Sequence, residues 1–407
     1  MDQDWIEERL RLLTAKAEKI VIVPMGKWGR TCKEILEGMG RTDLVFLDNR
    51  DYDDRTVFPV EGGDHWYTDA LYLIAAANEG VRKEIREQLE RHVAPSQLAD
   101  LFSDDLIQSR ISQYGKVTLD FLCCGFAKCG TTSLHVALRQ NPNVFLPDVK
   151  ETMFADNIWL PSAHRNLRLS YPPKLTAGKI TGGIEPAYLR SAKTVHDYFG
   201  EHLRLLFCVR NPVKAAYSLF RMQMRDGFHD RIFYYLQKYK NISPEVFDEW
   251  VRLETEKDTF CYMDYIREYL NYYPKDQVRI VVFEDMIKRP DAVMQEIQEY
   301  IGLDRQHRSR YDALPHINEG DRIPKNLACA YINRSIMGLM RETEESDVEL
   351  FASMQSVRDQ IWLITNEEYS EPMREETKEE LTRFYMDSIR ELEDFLERSL
   401  KGTWYEE

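Results

Sequence analysis

The chain has 407 residues, 43% hydrophobic and 30% charged, an ordinary globular composition with room for two domains. A formal net charge of -15 excludes a non-specific grip on nucleic-acid backbone. No run approaches the roughly 20 apolar residues of a membrane span. Seven cysteines with no CxxC pair argue against a disulfide framework and against a zinc site.

The first residues, "MDQDWIEERLRLL", are acidic and amphipathic, unlike the basic and apolar regions of a signal peptide, so a cytoplasmic protein is expected. A β-branched run, Ile20 to Val23, leads into a turn at Gly26 and Gly29 and then a helical stretch. A second apolar run, "LVFLDN", carries Asp48, and a third, "ALYLIAAAN", precedes the amphipathic "EGVRKEIREQLERHV". Alternating strands and helices predict a parallel sheet, here a Rossmann-like α/β domain over residues 1–93. Its dinucleotide fingerprint is damaged. Pro24 stands where G-x-G-x-x-G needs its first glycine, which removes an N–H and disfavours a dehydrogenase. Residues 94–116 are polar and rich in turn formers, a linker with a short helix; the second domain spans 117–407.

That domain opens on "FLCCGFAKCGTTSLHVALRQNP", Phe121 to Pro142: an apolar strand, a loop carrying Gly125 and Gly130, then a helix. A helix starting after a glycine-rich turn offers unpaired N–H groups and the positive end of its dipole, a cradle for phosphate. Thr131 and Thr132 add hydroxyls to the first turn. The nucleoside-triphosphate loop puts Lys-Ser/Thr after its second glycine, where the hydroxyl holds Mg²⁺. Here Lys128 precedes Gly130, placed to neutralise a leaving phosphate without a metal; the other reading is a plain turn with an incidental lysine. A second corner follows in "LRLLFCVRNPVKAAYSLFRMQM": a strand from Leu203 to Val209 breaks at Arg210-Asn211-Pro212 into a helix. Arg210 and Ser218 could converge on another phosphate there, unless Arg210 is buried against a carboxylate.

"GFAKCGTTS" resembles the 5′-phosphosulfate loop of sulfotransferases, and "VRNPVKAAYS" their 3′-phosphate motif. The likeness continues through "YIREYLNYYPKDQVRIVVFEDMIKRPDAVMQEIQEYIGLD" to the closing helix and Trp404, covering roughly 117–404. It implies a parallel sheet flanked by helices, and a donor, 3′-phosphoadenosine 5′-phosphosulfate, with no metal. By the resemblance, Lys128 contacts the oxygen bridging phosphate and sulfate. Gly125, Ala127, Cys129, Gly130, Thr131, Thr132 and Ser133 surround the 5′-phosphate, and Arg210 and Ser218 hold the 3′-phosphate. The late basic loop "NEGDRIPKN" makes Arg322 and Lys325 further candidates for the nucleotide, the alternative being a solvated turn.

Transfer needs a base for the acceptor hydroxyl. "NPNVFLPDVKETMF" is similar to the carbohydrate-modifying branch, which implies Glu151 as that base; otherwise Glu151 is an exposed carboxylate paired with Lys150. His135 reads as a packed or surface histidine, and His164 stays open as a base. In "GGIEPAYL" Pro186 and Tyr188 fit that branch, but Ile184 and Glu185 replace a lysine and a small hydroxyl residue, admitting Glu185 as a second carboxylate. The expectation is sulfuryl transfer to a hydroxyl, on a carbohydrate. A nucleotide kinase or nucleotidase and a non-catalytic nucleotide- or glycan-binding protein are the rivals. The acceptor and the oligomeric state, a homo-oligomer included, stay open.

Overall fold

Ile20–Val23 is a strand because a β-branched run buried on both faces packs well only in a parallel sheet. In the computed structural model it lies in β1 (Lys19–Val23), the middle of a five-stranded parallel sheet. The structure describes residues 2–49, 57–60, 65–148, 150–227, 232–253, 255–315, 322–344 and 348–406. With β2 (Leu44–Leu47), β3 (Val57–Phe58), β4 (Ala70–Ile74) and β5 (Leu98–Asp100), the strand order is β3-β2-β1-β4-β5. This is the doubly wound order, with its topological switch between β1 and β4.

Helices α1 (Asp2–Thr14), α2 (Lys27–Gly38), α3 (Glu79–Leu89) and α4 (Asp104–Tyr114) belong to the same unit. Asn78 caps α3 by accepting the Val81 N–H at 3.2 Å. The stretch 94–116, expected as a linker, carries β5 and α4. The unit comprises residues 1–118 together with 152–173 and 190–202. Segment 152–173 joins it through Trp159, 4.8 Å from Phe102; Phe154 of that segment lies 4.5 Å from Tyr198 of segment 190–202, whose hydroxyl accepts the Val117 N–H at 3.1 Å.

The second unit, residues 119–151, 174–189 and 203–407, is built on β6 (Phe121–Gly125), β7 (Val144–Phe145), β8 (Ile180–Ile184), β9 (Arg204–Val209) and β10 (Val278–Val282). Its order is β10-β9-β6-β8-β7, all parallel. From β6 the chain runs to β7 and β8 on one side, then returns to β9 on the other, so the switch falls between β6 and β9. Ligands of open α/β sheets bind beyond the carboxyl ends at such a point. Helix α5 (Thr131–Arg139) follows β6, and the Pro212–Asp226 helix follows β9. The two corners singled out from sequence are therefore neighbours. A two-stranded antiparallel ribbon, β11 (Arg322–Pro324) and β12 (Asn366–Glu368), packs through β11 on the Pro212–Asp226 helix. Among the described residues no helix is long and apolar enough to cross a membrane.

Candidate functional site

Gly130 is the residue before α5 and sits in the left-handed region, φ 86°. A Cβ there would lie 2.5 Å from Cδ2 of Phe283, so both the conformation and the close approach call for glycine. No side chain caps α5, which leaves the first-turn N–H groups facing outward from the corner. Thr131 and Ser133 are buried, Thr132 half-buried, and Cys129 is fully buried with its Sγ 3.6 Å from the Tyr262 hydroxyl.

Lys128 also has positive φ, 65°. Its Nζ is 3.5 Å from Sδ of Met222 on the Pro212–Asp226 helix. Burial lowers its pKa to about 8; Arg225, Arg210 and Arg221 push in the same direction, and Asp226 opposes them. In a chain of net charge -15, this is a local concentration of cations.

Arg210 reaches across from the second corner. Its Nη1 donates to the Lys128 carbonyl at 3.3 Å, and its guanidinium lies 4.8 Å from the Phe283 ring centroid. The buried Nε has no hydrogen-bond partner among the described residues, and Arg210 has no carboxylate partner among them either. Asn211 fixes the corner. Its side chain caps the helix through the Lys214 N–H at 3.1 Å and donates to the Trp404 carbonyl at 2.7 Å. Glu284 accepts from the Asn211 N–H at 3.0 Å and from Trp404 Nε1 at 2.9 Å. The terminal tryptophan thus braces the Arg210 corner, a role its position in the sequence did not reveal.

Ser218 is buried two turns into that helix. Arg221 and Arg225 follow at spacings of three and seven, which puts all three on one helix face. Only Ser218 was singled out from sequence, although the spacing of the arginines is readable there. Arg225 Nε donates to Asp226 at 2.6 Å and its guanidinium lies 4.3 Å from the Trp362 ring; Arg221 lies 5.0 Å from the Tyr217 ring.

Glu151 ends the first segment of this unit with φ 69°, and its carboxylate accepts from Lys150 Nζ, the pairing that was its alternative reading. His135 is buried. Its Nε2 donates to the Pro147 carbonyl at 3.0 Å, and burial lowers its pKa to about 4. His164 belongs to the first unit, buried against Tyr114 and Phe154, with Nε2 on the Ile158 carbonyl at 2.7 Å. Glu185 is buried just past β8, its N–H donating to the Cys123 carbonyl at 2.7 Å. Arg322 is half-buried in β11, opposite Glu368. Lys325 Nζ donates to the Ile364 carbonyl at 2.7 Å. The start of that basic loop, residues 318–321, lies outside the described residues.

Residues 119–318 match the sequence profile of the sulfotransferase domain. No curated protein matches the chain. Among solved structures, a sulfotransferase from Alicyclobacillus acidocaldarius is similar at 20% identity, covering 70% of this chain and 98% of its own, with a TM-score of 0.46. A mouse sulfotransferase complexed with PAP is similar at 16% identity, covering 58% and 72%, with a TM-score of 0.29. The sulfotransferase domain of an olefin synthase from Synechococcus PCC 7002 shares 12%, covering 46% and 74%, with a TM-score of 0.31. Residues 119–318 of the chain are therefore a sulfotransferase domain.

Proposed function

We propose that the second unit transfers a sulfuryl group from 3′-phosphoadenosine 5′-phosphosulfate to a carbohydrate hydroxyl. The observation that carries this reading is the direct contact of the two corners, with Arg210 Nη1 on the Lys128 carbonyl and its Nε left over. A buried guanidinium nitrogen without an acceptor is costly, and a phosphate oxygen would satisfy it. The uncapped first turn of α5 and the glycine at its start suit a second anion one strand away. A donor with two separated anionic groups fits both.

In this reading Lys128 and the first-turn N–H groups of α5 hold the phosphosulfate, with Gly125, Ala127, Cys129, Thr131, Thr132 and Ser133 shaping the loop. Arg210 and Ser218 hold the 3′-phosphate, with Arg322 and Lys325 toward the adenosine. Glu151 takes the proton of the acceptor hydroxyl as its oxygen bonds to sulfur. The bond between sulfur and the bridging oxygen breaks, and its electron pair stays on the 5′-phosphate, where Lys128 neutralises it. The stabilisation is electrostatic, by groups already in place.

Lys128 and Glu151 are two of five described non-glycine residues with positive φ. Such conformations cost about 1–3 kcal/mol each and gather where function requires them. The first unit serves in this reading as a scaffold, because Asp48, which would face a ribose, accepts the Met25 N–H at 2.7 Å instead. Incubation with sulfur-labelled donor and a panel of sugars tests the proposal. Label should pass to a sugar without added Mg²⁺; transfer of phosphate from adenosine triphosphate in its place would favour the kinase reading.

A further inference from the structure

Arg210 stands one residue past the end of a strand, where the sheet no longer holds the chain. The pairing of β9 with β10 ends at Val209. The backbone of Arg210 is held instead by one side chain from later in the sequence. The Tyr262 hydroxyl donates to the Arg210 carbonyl at 2.5 Å and accepts the Arg210 N–H at 3.3 Å. With its one proton given to that carbonyl, the hydroxyl is left as acceptor for the Cys129 thiol, whose Sγ lies 3.6 Å away. Tyr262 ties the residue after Lys128 in the first corner to the residue that opens the second. Its ring is fixed as well. It lies at the start of the Tyr262–Leu270 helix, 4.6 Å from the Phe126 ring and 6.0 Å from that of Trp404. Burial pushes its phenol well above the ordinary range, so the proton stays in place at neutral pH.

We infer that the Tyr262 hydroxyl is a positioning group for the donor: it fixes the Arg210 backbone against Cys129 and so sets where the guanidinium meets the 3′-phosphate. The inference rests on the sulfotransferase reading and adds a residue that the notebook of local motifs in the chain does not contain. Tyr262 is 1% exposed, so it acts through Arg210 rather than on the nucleotide. The guanidinium is referenced to the same loop, through Nη1 on the Lys128 carbonyl at 3.3 Å. A residue anchored to one loop by both backbone and side chain needs little reordering when the bisphosphate binds, and such pre-organisation is gained as affinity. Without the hydroxyl, the Arg210 amide and carbonyl lose their partner and the corner relaxes.

The test is a double-mutant cycle on the full chain, read by calorimetry with adenosine 3′,5′-bisphosphate. Wild type, Tyr262→Phe, Arg210→Ala and the double variant are titrated. Tyr262→Phe should weaken binding about three- to tenfold, the scale of one lost hydrogen-bond partner. In the Arg210→Ala background the same change should cost less than about twofold, because the side chain it aims is gone. A merely structural role would not produce that coupling; it would lower the melting temperature of both backgrounds alike. Adenosine 5′-phosphate, which offers Arg210 no 3′-phosphate, is the second ligand, and Tyr262→Phe should bind it as the wild type does. This arm decides the matter where Arg210→Ala binds the bisphosphate too weakly to titrate. Wild-type affinity in Tyr262→Phe, a loss as large without the Arg210 side chain as with it, or an equal loss for the 5′-phosphate would overturn the inference. So would wild-type affinity in Arg210→Ala, or a Tyr262→Phe protein that does not fold, since the hydroxyl would then serve the fold. Failure of the wild-type protein to bind the bisphosphate would instead remove the sulfotransferase reading beneath it.

Discussion

The protein contains the same device twice, a parallel strand that turns through glycine into a helix at the switch point of a doubly wound sheet, yet the two corners differ in what satisfies them. After β1, the polar groups of the turn are met by the chain itself. The Met25 N–H is taken by Asp48 at 2.7 Å and the Met25 carbonyl by Arg30 at 3.0 Å. The Pro24 carbonyl fills the place where a Cβ on Gly29 would lie, 2.0 Å away. Neither α2 nor α5 has a side-chain cap, but after β6 the neighbouring Arg210 keeps a buried donor without an acceptor among the described residues. Topology alone does not make a site.

The comparison can be broken by substitution, and the largest effect is expected at Glu151. Glu151→Gln should lower kcat by about 10²–10⁴-fold with bisphosphate affinity unchanged, as removal of a general base does. Unchanged turnover would return Glu151 to its ion pair with Lys150. Lys128→Ala should cost about 10²–10³ in kcat, the range for losing one preorganised electrostatic contact. The sign of its pH dependence follows from burial. With the pKa lowered to about 8, the free enzyme loses the ammonium above that pH, so kcat/KM should fall as pH rises through 8. A profile flat to pH 10 would count against the role.

Smaller effects are expected on binding and on stability. Arg210→Ala should weaken bisphosphate binding roughly 10–100-fold by calorimetry, the scale of a hydrogen bond to a charged group. In the first corner the outcome should be of another kind. Asp48→Ala leaves the Met25 N–H without its acceptor and should cost about 1–3 kcal/mol of stability, seen as a lower melting temperature, with kcat unchanged. If Asp48→Ala instead abolished turnover, the division between a filled corner and an open one would fail.

Much of this was legible in the sequence, for local reasons. The strand from Phe121 and the helix from Thr131 are marked by a switch of hydrophobic period across glycine, and Arg210-Asn211-Pro212 marks its corner the same way. Their adjacency required the strand order, which no local pattern carries. β3 has two residues and β5 three, too few for periodicity to register. The joining of 152–173 and 190–202 to the first unit rests on pairs such as Trp159–Phe102 and Tyr198–Val117, far apart in the chain. Glu284 reads as part of a Glu-Asp turn, and only the fold reveals that it ties Asn211 to Trp404. His164 has the chemistry of a base, but its surroundings are aromatic and buried, and burial lowers its pKa.

The central claim, that the β6 and β9 corners together clamp one nucleotide bearing two anionic ends, is tested most directly by calorimetry with the 3′,5′-bisphosphate of adenosine beside adenosine triphosphate. The account predicts binding of the bisphosphate at about micromolar strength, near 8 kcal/mol, and none of the triphosphate. Tight, Mg²⁺-dependent binding of the triphosphate with no response to the bisphosphate would contradict it.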